Sequence, residues 1–243
     1  MLRIYTKLRA IIGIPIFVFA TLVLSTMMII VGILKLRKLQ DWVAINWGSF
    51  FIYLFGIRVE MEGAENLPED QGVLFLFNHQ SLVDIPVLFH LMPKSFRYGA
   101  KIELFKIPFF GQAMAASGVL PIARDNRKAV FEVYKEAESR FSKGESFALA
   151  PEGTRQSEPQ IGPFKKGPFI FAHNANAPLV PVVLKGCHDI LEKHSLMINA
   201  DKFRRVVKVK ILEPIDPRFL DMDNLGDSVA QIRTRFVKAY SEL

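Results

Sequence analysis

The sequence predicts an α/β fold, a mixed sheet flanked by helices, preceded by an N-terminal membrane-embedded helical pair. Three observations carry that reading. Residues 11–34 run for 24 positions without a charge. From about residue 58, short apolar runs alternate with amphipathic stretches and Gly/Pro turns, the pattern of strands joined by helices. Half of the 243 residues are hydrophobic and the mean hydropathy is +0.22, too apolar for a chain that stays unfolded. The single cysteine, Cys187, excludes a disulfide framework and fits a reducing compartment, where it is expected as a small buried side chain.

A helix over residues 11–34 would be roughly 36 Å long at 1.5 Å per residue, enough to cross a bilayer. A signal peptide has an apolar region of about 7–15 residues and ends at a small-residue cleavage site. This run is longer and stops at Lys35, Arg37 and Lys38, which argues against removal. Arg3, Lys7 and Arg9 precede it, so both flanks are basic and the positive-inside rule assigns no orientation. The second apolar stretch, residues 42–57, is short for a span and holds both tryptophans, Trp42 and Trp47, a residue type that favours the membrane interface. Two arrangements fit: a spanning helix with an interfacial second one, or a hairpin dipped into one leaflet with its basic ends on the same side. The symmetric flanks favour the hairpin. Two helices of a soluble core would need a polar face that the first run lacks. Residues 1–57 are therefore assigned to membrane anchoring and 58–243 to the α/β domain.

Within that domain, strands are predicted at 58–62, 73–77, 96–100, 119–123, 147–150, 179–184 and 206–212. The clearest helix covers 126–143, where Val130, Val133, Tyr134, Ala137 and Phe141 recur at helical spacing. Asp125 is placed to cap it and Gly144 to end it. Residues 103–116 are apolar but interrupted by Pro108 and Gly111, and a last helix is expected over 227–242.

Between the second strand and the next helix lies NHQSLVD, residues 78–84. His79 and Asp84, five apart, would point about 140° away from each other on one helix, so they meet only if the chain bends between them. A strand-to-helix turn supplies such a bend. The pair would then form a dyad in which the carboxylate fixes the imidazole tautomer and the other ring nitrogen takes a proton from a bound hydroxyl. A plain helix start is the alternative: Ser81 and Asp84 have capping-box spacing, or Asp84 is the N-cap with Pro86 in the first turn. APEGTR, residues 150–155, follows another apolar run, with Gly153 allowing close backbone approach and Arg155 offering a fork suited to phosphate. A simple turn explains Pro151 and Gly153 equally well. GVLPIAR, residues 118–124, places Arg124 just past a strand, where a lone arginine is ordinarily solvated. PLVPVVL, residues 178–184, carries no reactive group and reads as core.

In this order and spacing the four segments resemble the glycerolipid acyltransferase family, and within it the 1-acylglycerol-3-phosphate acyltransferases. NHQSLVD matches the NHxxxxD signature, GVLPIAR the second block, APEGTR the PEGTR block and PLVPVVL the proline-containing fourth block, with Ala150 where many members carry Phe. The resemblance covers about residues 45–215, and the apolar N-terminal pair resembles that of bacterial members, which docks the enzyme on one leaflet. It implies transfer of a fatty acyl group from a coenzyme A or acyl-carrier-protein thioester to the sn-2 hydroxyl of lysophosphatidic acid, giving phosphatidic acid without a further cofactor. It implies His79 as general base oriented by Asp84, Lys101 of AKIEL as a cation near the oxyanion, and Arg124 and Arg155 with the Glu152, Gly153 and Thr154 turn around the acceptor's phosphate. Glu152 would order that turn or contact the glycerol. The resemblance also implies a membrane protein whose partners are membrane phospholipids, with its active domain on the cytosolic face of a bacterial inner membrane. An acyltransferase for glycerol 3-phosphate or another lysolipid, and a non-catalytic binder of anionic lipid, are the alternatives.

Other features are less informative. Ser81 lacks the G-x-S-x-G elbow of a serine nucleophile. CHDILEKH, residues 187–194, matches neither HExxH nor a paired-cysteine pattern, so no metal is expected. His90 and His173 have no partner pattern, and Lys165 and Lys166 either add positive potential to the site or form a solvated pair. No basic stripe or RNA-binding motif points to nucleic acid. The net charge of +7 is concentrated at the membrane end: residues 1–41 hold six basic residues and one acid, for +5. That placement suits anionic headgroups. The remaining 25 basic and 23 acidic residues leave +2, so a phosphate would be recognised by a few placed arginines rather than by bulk charge.

Overall fold

Seven strands form one mixed sheet in a computed structural model that describes residues 2–69, 71–92, 95–195, 197–199 and 205–243; the side chains of residues 2–4, Arg3 among them, lie outside it. The strands are β1 (Ile57–Glu62), β2 (Leu74–Phe77), β3 (Phe96–Lys101), β4 (Leu120–Ile122), β5 (Ser146–Leu149), β6 (Leu179–Lys185) and β7 (Arg205–Ile211), all within a residue of the expected ends. Their order across the sheet is β1-β7-β6-β2-β5-β3-β4. Only β6 and β7 pair antiparallel, so β6, β2, β5, β3 and β4 all run in one direction. Position explains composition. Central β2, β5 and β6 are covered on both faces and are apolar almost throughout, whereas β7 alternates Val207, Val209 and Ile211 inward with Val206 and Lys208 outward.

Side chains of β2 show the two layers. Phe75 and Phe77 join one apolar cluster, and Leu74 and Leu76 the other. The second cluster lies beneath α5 (Arg127–Phe141), α6 (Gly167–Asn174) and α8 (Leu225–Glu242). On α5, Tyr134 and Ala137 face inward, but the cap is Asn126 rather than Asp125. Asn126 directly precedes the helix in an extended conformation, so its Oδ1 reaches the Ala129 N–H at 3.1 Å. The apolar 103–116 stretch is a 3-10 turn (Ile102–Lys106) followed by α4 (Phe110–Ser117), broken near Pro108, which lacks the N–H a continuous helix needs.

The first apolar run forms a single helix, α1 (Leu2–Ile33), and the second forms α2 (Arg37–Phe55). One stripe of α1, including Thr6, Ala10, Ser25, Met28 and Val31, is buried, while Ile12, Ile16, Phe19, Val23, Ile30 and Ile33 stay exposed. The buried stripe lies along the rest of the molecule. Arg9 donates to the carbonyls of Leu54 (2.7 Å) and Tyr53 (2.6 Å), capping the end of α2. Farther along, Thr21 Oγ1 accepts from Trp47 Nε1–H at 3.1 Å, and Met28 and Val31 pack against Val43 and Ala113. Phe51, Ile52 and Phe55 of α2 enter the same cluster as the sheet. Gly48 lets α2 approach α3 (Asp84–Leu91), because a Cβ there would lie 2.7 Å from the Pro86 carbonyl oxygen.

Candidate active site

Because β2, β3, β4 and β5 run parallel, the segments after them share one edge of the sheet, the usual ligand position in an open α/β sheet. Residues far apart in sequence thereby surround one cavity of about 680 Å³, including His79, Lys101, Arg124, Gly153 and Lys165. Its apolar walls include Phe77, Ile85, Tyr98 and Leu149, and its size lies within the roughly 300–1,000 Å³ of small-molecule sites. Of the 21 phenylalanines, Phe77, Phe131 and Phe164 reach it, an assignment no sequence pattern makes.

The chain leaves β2 through Asn78, a buried amide that donates to the Leu184 carbonyl (2.8 Å) and accepts the Leu184 N–H (2.7 Å), tying the strand end to β6. It then bends, and His79 Nδ1 lies 2.8 Å from Asp84 Oδ2. The same oxygen accepts the N–H groups of Gln80 and Ser81, both at 2.9 Å. The dyad and the helix start are thus one structure: Asp84, the first residue of α3, gathers two backbone donors of the turn and the imidazole together. With Nδ1–H as the donor to a carboxylate, the network assigns the tautomer and leaves Nε2 as the basic nitrogen. Asp84 is buried and the His79 side chain is 12% exposed at the cavity. Buried Cys187 sits beside Asp84, and burial together with that carboxylate holds it as a thiol by pushing its pKa well above the ordinary value. Ser81 Oγ is committed to the Leu191 carbonyl (2.7 Å) and the Val83 N–H (3.2 Å), which removes it from the cavity.

Glu152 lies beneath the turn and does not line the cavity. It is 3% exposed; Oε1 accepts the His79 N–H at 2.9 Å and Oε2 the Gly162 N–H at 3.1 Å. Of the two tasks expected for it, ordering the turn has a geometric basis and contact with glycerol does not. Burial pushes its carboxyl up from 4.5 to about 7, opposed by those N–H groups. Gly153 follows at φ +69, and the Lys165 side chain fills the space where a Cβ would stand. Thr154 is exposed and lies off the cavity, so its hydroxyl is not placed for a ligand there.

The cations are held differently. Arg124 lines the cavity; burial and the nearby Arg155 charge lower its pKa. Arg155 is also lowered by burial, opposed by Asp84, and its buried Nη1 has no hydrogen-bond partner. Of the two guanidiniums only Arg124 stands on the cavity wall and Arg155 lies off it, but their combined charge favours an anion such as phosphate there. Lys165 and Lys166 both line the cavity, which favours positive potential at the site over a solvated pair. Lys101 lines it too, but is 47% exposed and 3.4 Å from Glu103. His90 packs elsewhere, its Nδ1 3.0 Å from Ser49 Oγ, and His173 is exposed on α6. Among the described residues no group of three or more His, Cys, Asp and Glu converges as a metal site would require.

A family model described as Acyltransferase matches residues 58–185. The chloroplast 1-acyl-sn-glycerol-3-phosphate acyltransferase of Brassica napus is 36% identical over 156 residues, 64% of this chain and 45% of that protein. The 1-acyl-sn-glycerol-3-phosphate acyltransferase of Saccharomyces cerevisiae is 31% identical over 193 residues, 78% of this chain and 62% of that protein. The chain thus spans less than two thirds of the length of these relatives. The crystal structure of the 1-acyl-sn-glycerophosphate (LPA) acyltransferase from Thermotoga maritima matches with a TM-score of 0.82 at 26% identity, covering 99% of this chain and 98% of that one.

Proposed function

Since the chain belongs to the Acyltransferase family, we propose that it transfers a fatty acyl group from an acyl thioester to the sn-2 hydroxyl of 1-acylglycerol 3-phosphate, giving phosphatidic acid in phospholipid synthesis. The observation that carries this reading is the 2.8 Å His79–Asp84 pair opening on a cavity that combines apolar walls with several cations.

His79 Nε2 takes the proton of the acceptor hydroxyl while its oxygen attacks the thioester carbonyl carbon. Asp84 holds the neutral imidazole in the Nδ1–H tautomer, so that Nε2 is the nitrogen facing the hydroxyl, and stabilises the imidazolium afterwards. The tetrahedral oxyanion collapses, the C–S bond breaks and the leaving thiolate takes the proton back from His79. A thioester is already activated, so no enzyme-bound acyl intermediate is needed, which agrees with the committed Ser81 hydroxyl. Lys101 and backbone N–H groups would stabilise the oxyanion. Arg124, Arg155, Lys165 and Lys166 would hold the acceptor's phosphate, with Gly153 keeping the turn close and Glu152 positioning His79. The donor is acyl-coenzyme A or acyl-carrier protein, and no other cofactor enters the scheme.

The docking of α1 along α2 and α4 supports a monotopic anchor. A spanning α1 would draw those helices into the bilayer with it. Lying flat, a 32-residue helix of roughly 48 Å buries Ile12, Ile16, Phe19 and Val23 in one leaflet and leaves both basic ends at the headgroups. Such an anchor keeps the catalytic domain beside membrane phospholipids, and the face proposed for it is the cytosolic one, in a bacterium that of the inner membrane.

Membranes containing the protein, given one labelled acyl thioester and either lysophosphatidic acid or glycerol 3-phosphate, test the acceptor. Acylation of lysophosphatidic acid is expected, and exclusive acylation of glycerol 3-phosphate overturns the assignment. His79→Ala is expected to lose about 10²–10⁴-fold in rate. Normal turnover by that folded variant would favour a lipid-binding protein whose dyad is not catalytic.

A further inference from the structure

The C-terminal helix α8 lies outside the matched 58–185 region, yet it touches the turn that carries His79 at one point and the 160–162 loop at another. Tyr240 Oη donates to Gln80 Oε1 at 3.3 Å, and Gln80 Nε2 in turn donates to the Gln160 carbonyl at 3.3 Å. Two turns earlier on α8, Arg233 reaches the same loop. Its Nη2 donates to the Ile161 carbonyl at 2.7 Å and its Nε to the Gly162 carbonyl at 2.8 Å.

The first of those bonds has a chemical consequence. The peptide that joins Ile161 to Gly162 accepts from Arg233 at its oxygen and donates from its N–H to Glu152 Oε2 at 3.1 Å. One peptide plane therefore stands between a fixed cation and a buried carboxylate. Each bond polarises that amide in the direction that strengthens the other. The other carboxylate oxygen, Oε1, accepts the His79 N–H at 2.9 Å. The path from Arg233 to the backbone of His79 thus runs through three hydrogen bonds and no free joint. Ile232, Phe236 and Ala239, fully packed in the core, hold α8 itself in place.

We propose that Arg233 is a positioning residue for the acyl transfer, holding the His79 main chain in its reactive place through the Ile161 and Gly162 peptide and Glu152. The inference rests on the acyl-transfer reading above. Arg233 lies behind the turn and does not line the cavity, so its loss misplaces the base without touching either substrate.

Three variants test it: Arg233→Gln, which keeps an N–H donor but removes the charge, Arg233→Lys, which keeps the charge, and Arg233→Met. Rates are measured on the full chain in mixed micelles with lysophosphatidic acid and an acyl thioester. Removing the charge is expected to lower kcat about 10-fold with both KM values within about 2-fold, since misplacement acts on the reacting geometry and not on binding. Arg233→Lys is expected to recover to within about 3-fold of the unaltered enzyme. In a Glu152→Gln background the same Arg233 changes are expected to cost less than about 2-fold, because the two residues act through one path. If Arg233→Met does not fold, Arg233→Gln carries the comparison. Wild-type kcat in a folded Arg233→Gln protein, or a full additive loss in the Glu152→Gln background, overturns the relay. Absence of acyl transfer by the unaltered protein would instead overturn the reaction on which it rests.

Discussion

The two sides of the cavity follow opposite rules. Around His79 the polar atoms are committed: Asp84 Oδ2 takes three donors, Glu152 takes two, Ser81 is bonded twice and Asn78 is paired with β6 in both directions. On the arginine side the donors are incomplete: Arg124 lines the cavity and feels the Arg155 charge, and Arg155, which does not line it, leaves Nη1 unanswered. The difference matches the tasks. A general base must be oriented before the substrate arrives, so the groups that hold its turn are bonded in the free protein, with Asp84 Oδ1 the one buried exception at the dyad. An anion site must keep its donors open, and the free protein carries the cost of two half-buried like charges until a phosphate answers them.

Breaking the committed side should have the largest effect. Asp84→Asn preserves shape, but its amide offers a donor where His79 Nδ1–H needs an acceptor, which favours the wrong tautomer. A loss of about 10²–10⁴-fold in kcat is expected with nearly unchanged KM. Steady-state kinetics on both substrates check this, and a loss confined to KM would remove Asp84 from the orienting role.

The incomplete side should respond in the opposite coordinates. Arg124→Met and Arg155→Met are each expected to raise the KM for lysophosphatidic acid by about 10- to 100-fold, with a smaller change in kcat. Each also removes a half-buried charge that carboxylates favour without an ion pair, Asp84 for Arg155 and Glu103 and Asp125 for Arg124, so the apparent melting temperature without substrate should hold or rise. A fall in stability, or an unchanged KM, would show that these guanidiniums are structural and would erase the contrast between the two sides.

Glu152 tests the committed side by pH. Its carboxyl is raised from 4.5 to about 7, so between those values the folded protein holds a proton that the unfolded chain releases. The stability it contributes is therefore full below about pH 4.5 and is lost as pH rises through 7, up to roughly 3 kcal/mol across that window. This is the reverse of an ordinary ion-paired carboxylate. Denaturant unfolding at pH 5 and pH 8 should show a larger decline for the unaltered protein than for Glu152→Gln. Equal declines would mean that Glu152 is not held against its charge.

The strands and the dyad were legible in the sequence because both rest on local geometry. A buried central strand needs a run such as LFLF, and a five-residue spacing across a strand-to-helix bend lets His79 meet Asp84. Orientation within the PEGTR turn was not legible: Pro151 and Gly153 line the cavity, while Glu152 points under His79, Thr154 points to solvent and Arg155 lies off the wall. A turn motif constrains backbone dihedrals, while the direction of each side chain depends on which distant N–H group is near. Arg233 and Tyr240 were hidden for the same reason, since they bind carbonyl and amide groups 71 to 160 residues away. Asn126 replaced Asp125 as the cap because the helix begins one residue later than its apolar spacing suggested.

Lys101 belongs to neither side, and the expected effect at this position is the smallest. It lies at the end of β3 on the cavity wall, half exposed, with Glu103 3.4 Å away. An exposed ion pair of this kind contributes about 0–1 kcal/mol to folding, so Lys101→Met should leave stability almost unchanged. If its ammonium stabilises the oxyanion, solvent screening limits the gain, and kcat should fall about 3- to 10-fold. Glu103→Gln discriminates further. Freed from its partner, Lys101 would present more charge to the cavity, and kcat should rise slightly or hold in Glu103→Gln while the double variant falls to the Lys101→Met level. If Lys101→Met keeps full kcat, the oxyanion is met by backbone N–H groups of the committed turn alone, and the division between an oriented half and an open half of the cavity becomes complete.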